Sequence, residues 1–330
     1  MNRRGERPGE FEMIARYFAP LAKAAPLAFG LTDDAALIRP RSGRELVITT
    51  DTIIGGVHFR LDDPAHTVAQ KLLRVNLSDL AAKGATPRAY LMNCAFPHDV
   101  TEAWIADFAD GLAADQAEYG IVLIGGDTTA TPGPATLSAT AIGEVPSGGM
   151  LLRKGAKAGD GVWVSGNIGE AGLGLRVLKG EDLGLNALLA LQTVEHYRLP
   201  KPRLSLGLRL RNLAHACLDI SDGLVADLGH MCEASKVGAE IFADGIPLSA
   251  AGRRAIAAGR ATIGEMLTAG DDYELILAVA AKDERRLARA VERAGVKVTK
   301  IGHITRGKGV IVRDARGVAL EFARPGYAHF

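Results

Sequence analysis

Apolar segments of strand length alternate with segments of helical periodicity along this chain, and aspartates stand where those apolar runs or glycine turns end. That alternation argues an α/β chain, because each strand must bury a face and the following helix supplies the cover. The first half predicts strands at about 46–50, 89–96, 121–124 and 135–145. Between them, one helix opens at Asp63-Pro64 and runs to about Lys83, where Gly84 and Pro87 stop it. A second runs from about Thr101 to Glu118 with Trp104, Phe108 and Leu112 on one face. Two helices cannot cover both faces of such a sheet, so one face is expected to pair with another copy of the protein. Residues 146–160, with Pro146, several Gly residues, Arg153, Lys154 and Lys157, form the expected domain boundary. The second half predicts helices at about 170–178, 204–213, 224–234 and 283–294, with strands at about 161–165, 216–220, 239–242, 273–280, 296–301 and 309–312.

The placement of carboxylates is the chemical signal. Asp33 and Asp34 follow a Gly-containing turn, Asp51 ends Val47-Ile48-Thr49-Thr50, and Asp127 follows Ile124-Gly125-Gly126. Asp219 and Asp222 frame Ile220-Ser221, and Asp271 and Asp272 follow Ala269-Gly270. Asn76, Asp79 and Lys83 form a polar stripe on an otherwise apolar helix. One aspartate after a strand is as ordinary as a turn former or a cap, and Asp222 before Gly223-Leu224 reads as an N-cap. The set is another matter: so many carboxylates, with the hydroxyls of Thr49, Thr50, Thr128 and Ser221 beside them, argue hard divalent cations shared with phosphates.

Several classes are excluded or disfavoured. The 39 Lys and Arg residues nearly cancel 38 Asp and Glu residues, and no basic block marks a nucleic-acid surface. No apolar run reaches the roughly 18 residues of a membrane span, and the polar start of the chain does not read as a signal peptide, so a cytoplasmic protein is expected. Cys94, Cys217 and Cys232 are too scattered for a disulfide framework and read as buried apolar residues. A P-loop is missing, and Gly166-Asn167-Ile168-Gly169-Glu170-Ala171-Gly172 lacks dinucleotide spacing; it is a tight strand-to-helix turn or a phosphate cradle. His58, beside Gly55-Gly56 and Phe59, is the histidine placed to touch a ligand, or else a loop residue.

Taken in order, Gly9-Glu10-Phe11 through Arg16-Tyr17-Phe18, Asp33-Asp34-Ala35-Ala36, Thr49-Thr50-Asp51-Thr52, His58-Phe59, Val75-Asn76-Leu77-Ser78-Asp79-Leu80-Ala81-Ala82, Gly125-Gly126-Asp127-Thr128-Thr129, Asp219-Ile220-Ser221-Asp222-Gly223-Leu224, Asp271-Asp272-Tyr273-Glu274-Leu275 and Gly326-Tyr327-Ala328-His329-Phe330 resemble the thiamine-monophosphate kinase family. The resemblance covers nearly the whole chain. It implies a two-domain aminoimidazole ribonucleotide synthetase-like fold, α/β (α+β) in class. Residues 1–148 would form a domain that binds Mg·ATP and dimerises through its sheet, and residues 149–330 a C-terminal α/β domain. It also implies phosphorylation of thiamine phosphate to thiamine diphosphate, with ATP as co-substrate, by direct metal-assisted transfer without a catalytic protein base. Carried over by position, it makes Asp34, Thr49, Thr50, Asp51, Asp79, Asp127, Asp219 and Asp222 the Mg²⁺ ligands, and Gly126, Asp127, Arg153 and Ser221 the ATP contacts. His58, Asp271 and an aromatic residue, Phe322 or Tyr327, would meet the thiamine phosphate. Two departures stand out: Asp271 replaces the family's longer Glu, and no Trp stands near the C-terminus to stack on thiamine. A related acceptor, as in aminoimidazole ribonucleotide synthetase, and a non-catalytic nucleotide-binding module are the alternatives. Selenophosphate synthetase and the hydrogenase-maturation dehydratase are disfavoured, since no Cys precedes Cys94 and the chain ends in Phe330.

Overall fold

Strand β8, Leu275–Val279, is buried along its whole length, which only a central strand covered on both faces can be. It lies in one of two sheets in the computed structural model, which describes residues 9–327. Ala328, His329 and Phe330 of the C-terminal motif, and the first eight residues, lie outside the described residues. The chain divides into two compact units: one runs up to Leu80 and resumes over Ala85–Gly148, and the other holds Ala81–Gly84 and the chain from Gly149 onward.

The first unit begins with short helical turns from α1, Glu10–Met13, to Pro26–Leu31. Then come β1 (Arg44–Ile54), α2 (Ala65–Ala82), β2 (Thr86–Pro97), α3 (Glu102–Tyr119), β3 (Val122–Thr131) and β4 (Thr136–Pro146). The sheet order is β1-β4-β2-β3, antiparallel except for the β2–β3 pair that α3 connects. Thr101 caps α3, its hydroxyl accepting from Trp104 N–H at 3.1 Å, and Gly120 ends it at φ 65°. Helices α2 and α3 are joined by a buried ion pair in which Arg74 forks onto Asp115 at 2.8 Å. The other sheet face is covered only in part, by Ala22 and Ala28 of the N-terminal turns against Ala89, Ile124 and Ile142. On the uncovered part, Ile48 is 63% exposed.

The second unit contains β5 (Gly161–Ser165), α4 (Glu170–Leu178), α5 (Ala187–Arg198), α6 (Leu204–Leu210), β6 (Ala214–Asp219), α7 (Leu224–Ser235), β7 (Gly238–Phe242), α8 (Ala250–Ala257), α9 (Ile263–Thr268), β8, α10 (Glu284–Ala294), β9 (Val298–Thr305) and β10 (Gly309–Arg313). Its six strands run β10-β7-β9-β5-β8-β6, and only β10–β7 is parallel. One face packs on α7 through Leu218, Leu224, Leu228 and Ile276; the other packs on α6 and α10 through Leu206, Leu210, Leu277 and Leu287. Each such side chain taken fully out of water contributes roughly 1.5–3 kcal/mol before entropy is counted.

Several elements differ from the sequence expectation. Strands β1 and β3 continue through Asp51 and Asp127 rather than ending there, because β4 pairs with β1 as far as Ile54 and β2 with β3 as far as Thr131. Helix α5 has no expected counterpart; its Leu188 and Leu191 are 63% and 56% exposed, so its apolar residues do not mark the buried face. Helix α8 has no expected counterpart either; it is eight residues long and its buried positions are the small residues Ala251, Gly252 and Ala255. No helix of the described residues is long and apolar enough to cross a membrane.

Candidate active site

Side-chain alternation along β1 sorts the first group of carboxylates. Val47, Thr49, Asp51 and Ile53 are the more buried positions; Ile48, Thr50 and Thr52 are exposed. The Thr49 hydroxyl donates to the Asp79 carboxylate of α2. One turn away, Asn76 Oδ1 accepts from the Asp51 N–H at 3.1 Å while its Nδ2 donates to the Leu72 carbonyl at 2.9 Å. The polar stripe of α2 is thus laid along the edge strand β1. Thr50 faces the opposite side, its hydroxyl donating to the Ala139 carbonyl and accepting from Thr140 Oγ1, each at 3.1 Å. Register carries that face through Thr140 and Leu91 to Gly125, and two residues on to Asp127.

Asp34 and Asp127 line a cavity of about 150 Å³ together with Asp33, Gly126, Leu91 and Ile124. Neither Asp51 nor Asp79 lines it, so the expected ligands of this unit form two groups. Gly126, at φ 151°, passes so close to β2 that an added Cβ would stand 1.8 Å from the Met92 carbonyl oxygen. Only glycine fits there. Asp34, Asp79 and Asp127 have no cationic partner among the described residues, and Asp79 is met by a neutral hydroxyl. Carboxylates so arranged have the hard oxygen donors and the uncompensated charge that suit Mg²⁺.

In the loop 54–59, His58 N–H donates to the Ile54 carbonyl at 2.9 Å, and Ile54 N–H donates back to His58 Nδ1 at 3.0 Å. Lys71 of α2 donates to the His58 carbonyl at 2.9 Å.

In the second unit, Asp219 ends β6 and the loop to α7 follows. Asp222 is not the N-cap of α7; Gly223 holds that position at φ 118°, without a side-chain cap. The capping carboxylate comes from inside the helix: Asp227 Oδ2 accepts from the N–H groups of Ser221, Asp222 and Gly223 at 3.0, 2.9 and 3.1 Å. Burial pushes the Asp227 carboxyl up to about 7 against the pull of those bonds. Carboxylate oxygens of Asp222 and Asp227 and a ring nitrogen of His230 lie within 4.8 Å of one another. The 271–275 motif is zipped to this loop: Asp271 N–H donates to the Ser221 carbonyl at 2.9 Å, Tyr273 N–H to Ile220 at 2.8 Å, and Ile220 N–H back to Glu274 at 2.8 Å. Asp271 and Tyr273 are held at φ 70° and 51°, and the Tyr273 hydroxyl donates to Asp271 Oδ1 at 3.3 Å. Positive φ at two such residues is strain of the kind found at functional sites.

Asp272 resolves the Gly166–Gly172 stretch. Its buried carboxylate accepts from Gly169 N–H at 2.6 Å and Ala171 N–H at 3.3 Å, filling the helix start that a phosphate cradle would need. Burial holds this carboxyl well above the usual range. Glu274 is engaged by Arg203 and Ser165. Tyr327 N–H donates to the Asp222 carbonyl at 2.9 Å, whereas Phe322 packs against the core under α7. Exposed Arg153 follows Leu152, whose carbonyl accepts from Cys217 N–H at 2.9 Å, two residues before Asp219.

Models of the AIR synthase related protein family match residues 32–145 with its N-terminal domain and residues 157–315 with its C-terminal domain. The thiamine-monophosphate kinase of Caulobacter vibrioides is 41% identical over 316 residues, spanning 92% of this chain and 86% of that protein. The chain belongs to the thiamine-monophosphate kinase family. The thiamine-monophosphate kinase structure from Stenotrophomonas maltophilia agrees at a TM-score of 0.81 with 39% identity, covering 97% of this chain and 100% of that one. AaThiL complexed with AMPPCP and TMP agrees at 0.77 with 28% identity, over 98% and 97% of the two chains. Sequence reasoning missed Lys71, Asp227 and Tyr273. Asp227 had one available signal, an acid in the first turn of a helix that follows Asp-Ile-Ser-Asp-Gly.

Proposed function

We propose that this protein transfers the γ-phosphoryl group of ATP to thiamine phosphate, yielding thiamine diphosphate and ADP. The observation that carries the reading is that Asp34, Asp79 and Asp127 stand without cationic partners among the described residues, at motif positions of a family whose relatives bear that activity in their names. A relative of similar fold complexed with AMPPCP, an ATP analogue, and TMP supports the substrate pair. Asp34, Thr49, Asp51, Asp79 and Asp127 would hold Mg²⁺ in the first unit, and Asp219 and Asp222 in the second. Held there, Mg²⁺ would supply neutralisation of phosphate charge. Thr50, on the sheet face that the register shares with Asp127, would serve with Asp34 and Asp127, and Thr49, Asp51 and Asp79 would form the other group.

The chain's own residues then bind and orient. Gly126 lets β3 approach without a side chain, which suits close backbone contact with ATP, and Ser221 and Arg153 offer a hydroxyl and a guanidinium fork to its phosphates. His58 and Asp271 would meet the thiamine phosphate. Tyr327, tied to Asp222 by its main chain and exposed, is a better candidate for the thiamine ring than Phe322, which is half-buried and packs in part against the core. The acceptor is a phosphate monoester with a second pKa near 6, so at pH 7 its oxygen is already anionic and needs no protein base. The remaining task is holding two anions in line.

Homodimerisation through the uncovered sheet face at Ile48 belongs to the same reading, and it would also shield Thr50 and Asp127 from solvent. Residues 1–148 and 149–330 would be the two domains. The deciding assay supplies Mg·ATP with thiamine phosphate or formylglycinamidine ribonucleotide, and identifies products by mass. Equal amounts of thiamine diphosphate and ADP are expected; turnover of the ribonucleotide alone would move the assignment to the purine enzyme.

A further inference from the structure

Lys71 is 2% exposed, on the face of α2 that packs inside the first unit. An ammonium group in such a place is costly to desolvate, and an apolar side chain of equal length would fill the volume without that cost. Its Nζ donates to the main-chain carbonyl of His58 at 2.9 Å. The same loop is closed by Val57 N–H and His58 N–H on the Ile54 carbonyl, at 3.1 and 2.9 Å, and by Gly56 N–H on the Phe59 carbonyl at 2.8 Å. Phe59 is buried, which pins the far end of the loop.

The ring of His58 accepts a bond from Ile54 N–H at Nδ1, at 3.0 Å. A main-chain N–H can only donate, so Nδ1 must be the unprotonated nitrogen. The neutral ring therefore carries its proton on Nε2, and what it can give an oxyanion is an Nε2–H donor. The bond from Lys71 fixes the carbonyl of the same residue and so sets where that donor stands.

We propose that Lys71 is a positioning residue for phosphoryl transfer, holding the His58 loop so that the ring presents Nε2–H to the phosphate of the acceptor. This rests on the reading that His58 meets thiamine phosphate. In this role Lys71 acts through the His58 carbonyl.

The test uses the full chain as wild type, Lys71→Met, Lys71→Gln, His58→Gln and His58→Asn. In Lys71→Met the KM for thiamine phosphate should rise by about tenfold, the scale of one misplaced hydrogen bond to a charged group, while the KM for ATP changes by less than about twofold. Lys71→Gln, smaller in perturbation, should move the same constant in the same direction. His58→Gln, whose amide nitrogen reaches the place of Nε2, should retain more acceptor affinity than His58→Asn. Without substrate, ¹⁵N spectra of histidine-labelled protein at pH 8 should show a ring in the Nε2–H form that disappears in His58→Gln and becomes a tautomeric mixture in Lys71→Met. A KM that rises equally for both substrates, or an unchanged His58 tautomer in both Lys71 variants, would overturn the inference. Absence of wild-type turnover would instead remove the kinase reading, and the spectra would still report whether Lys71 holds the ring.

Discussion

The hydroxyl of Thr49 donates to the carboxylate of Asp79, joining the edge strand β1 to the polar stripe of helix α2. The donor is neutral, so the carboxylate keeps its charge while its orientation is set. Asn76, three residues earlier, holds the main chain at Asp51 in the same way. The Asp79 carboxylate is thereby oriented by a neutral donor, and the main chain that carries Asp51 is fixed beside it, an arrangement of hard oxygen donors that suits a divalent cation.

Asp51→Asn, Asp79→Asn and Asp127→Asn should each lower turnover by about 100-fold or more while the fold persists, since losing a supporting partner of a metal ligand alone costs 10–100-fold. The Mg²⁺ concentration for half-maximal rate should rise in each variant. Steady-state rates across a Mg²⁺ series check this, and near-normal turnover at ordinary Mg²⁺ in any two variants would refute the ligand assignment.

Light scattering should report a homodimer at micromolar concentration, because Ile48 is 63% exposed on a sheet face that the N-terminal turns cover only in part. Ile48→Asp places a charge on that face and should yield monomer. A monomeric wild type would refute dimerisation through the sheet.

Thiol titration follows from burial. Cys94, Cys217 and Cys232 are all buried, and burial pushes the thiols of Cys217 and Cys232 up to about 12 and about 11. The thiolate is the reactive form, so native protein at pH 8 should react very slowly with a disulfide reagent and release all three equivalents only when unfolded. The folded pKa values lie above the unfolded value of 9.0, so this contribution to stability is complete below pH 9 and is lost as pH rises through the interval up to about 12. Denaturation midpoints in Cys217→Ala, compared with wild type from pH 8 to 11, check the sign: the wild type should lose stability faster.

Transfer should be direct and in line. A chiral γ-phosphate should emerge with inverted configuration, and no phosphoenzyme should accumulate when acceptor is withheld. Retention, or a trapped phospho-histidine or phospho-aspartate, would make a protein side chain the nucleophile.

Much of the fold is legible residue by residue, since hydrophobic period and turn chemistry are local. Helix α3 from about Thr101, the stop of α2 at Gly84 and the presence of the strands in both halves follow from spacing alone. The ordered motifs likewise identify the family without coordinates. What spacing could not supply is the outcome of pairing between distant segments. Strand β1 runs on through Asp51 because β4, far along the chain, offers partners to Ile54. Thr49 and Thr50 are neighbours of similar chemistry, yet strand alternation sends one hydroxyl to Asp79 and the other to the opposite face. Asp222 reads as a cap in sequence, but Asp227 reaches back over one turn and takes the three N–H groups itself. The Gly166–Gly172 turn could have held a phosphate; Asp272, about a hundred residues later, brings its own carboxylate to that helix start. In each case residue type sets what a side chain can donate or accept, and only tertiary contact decides which partner it meets.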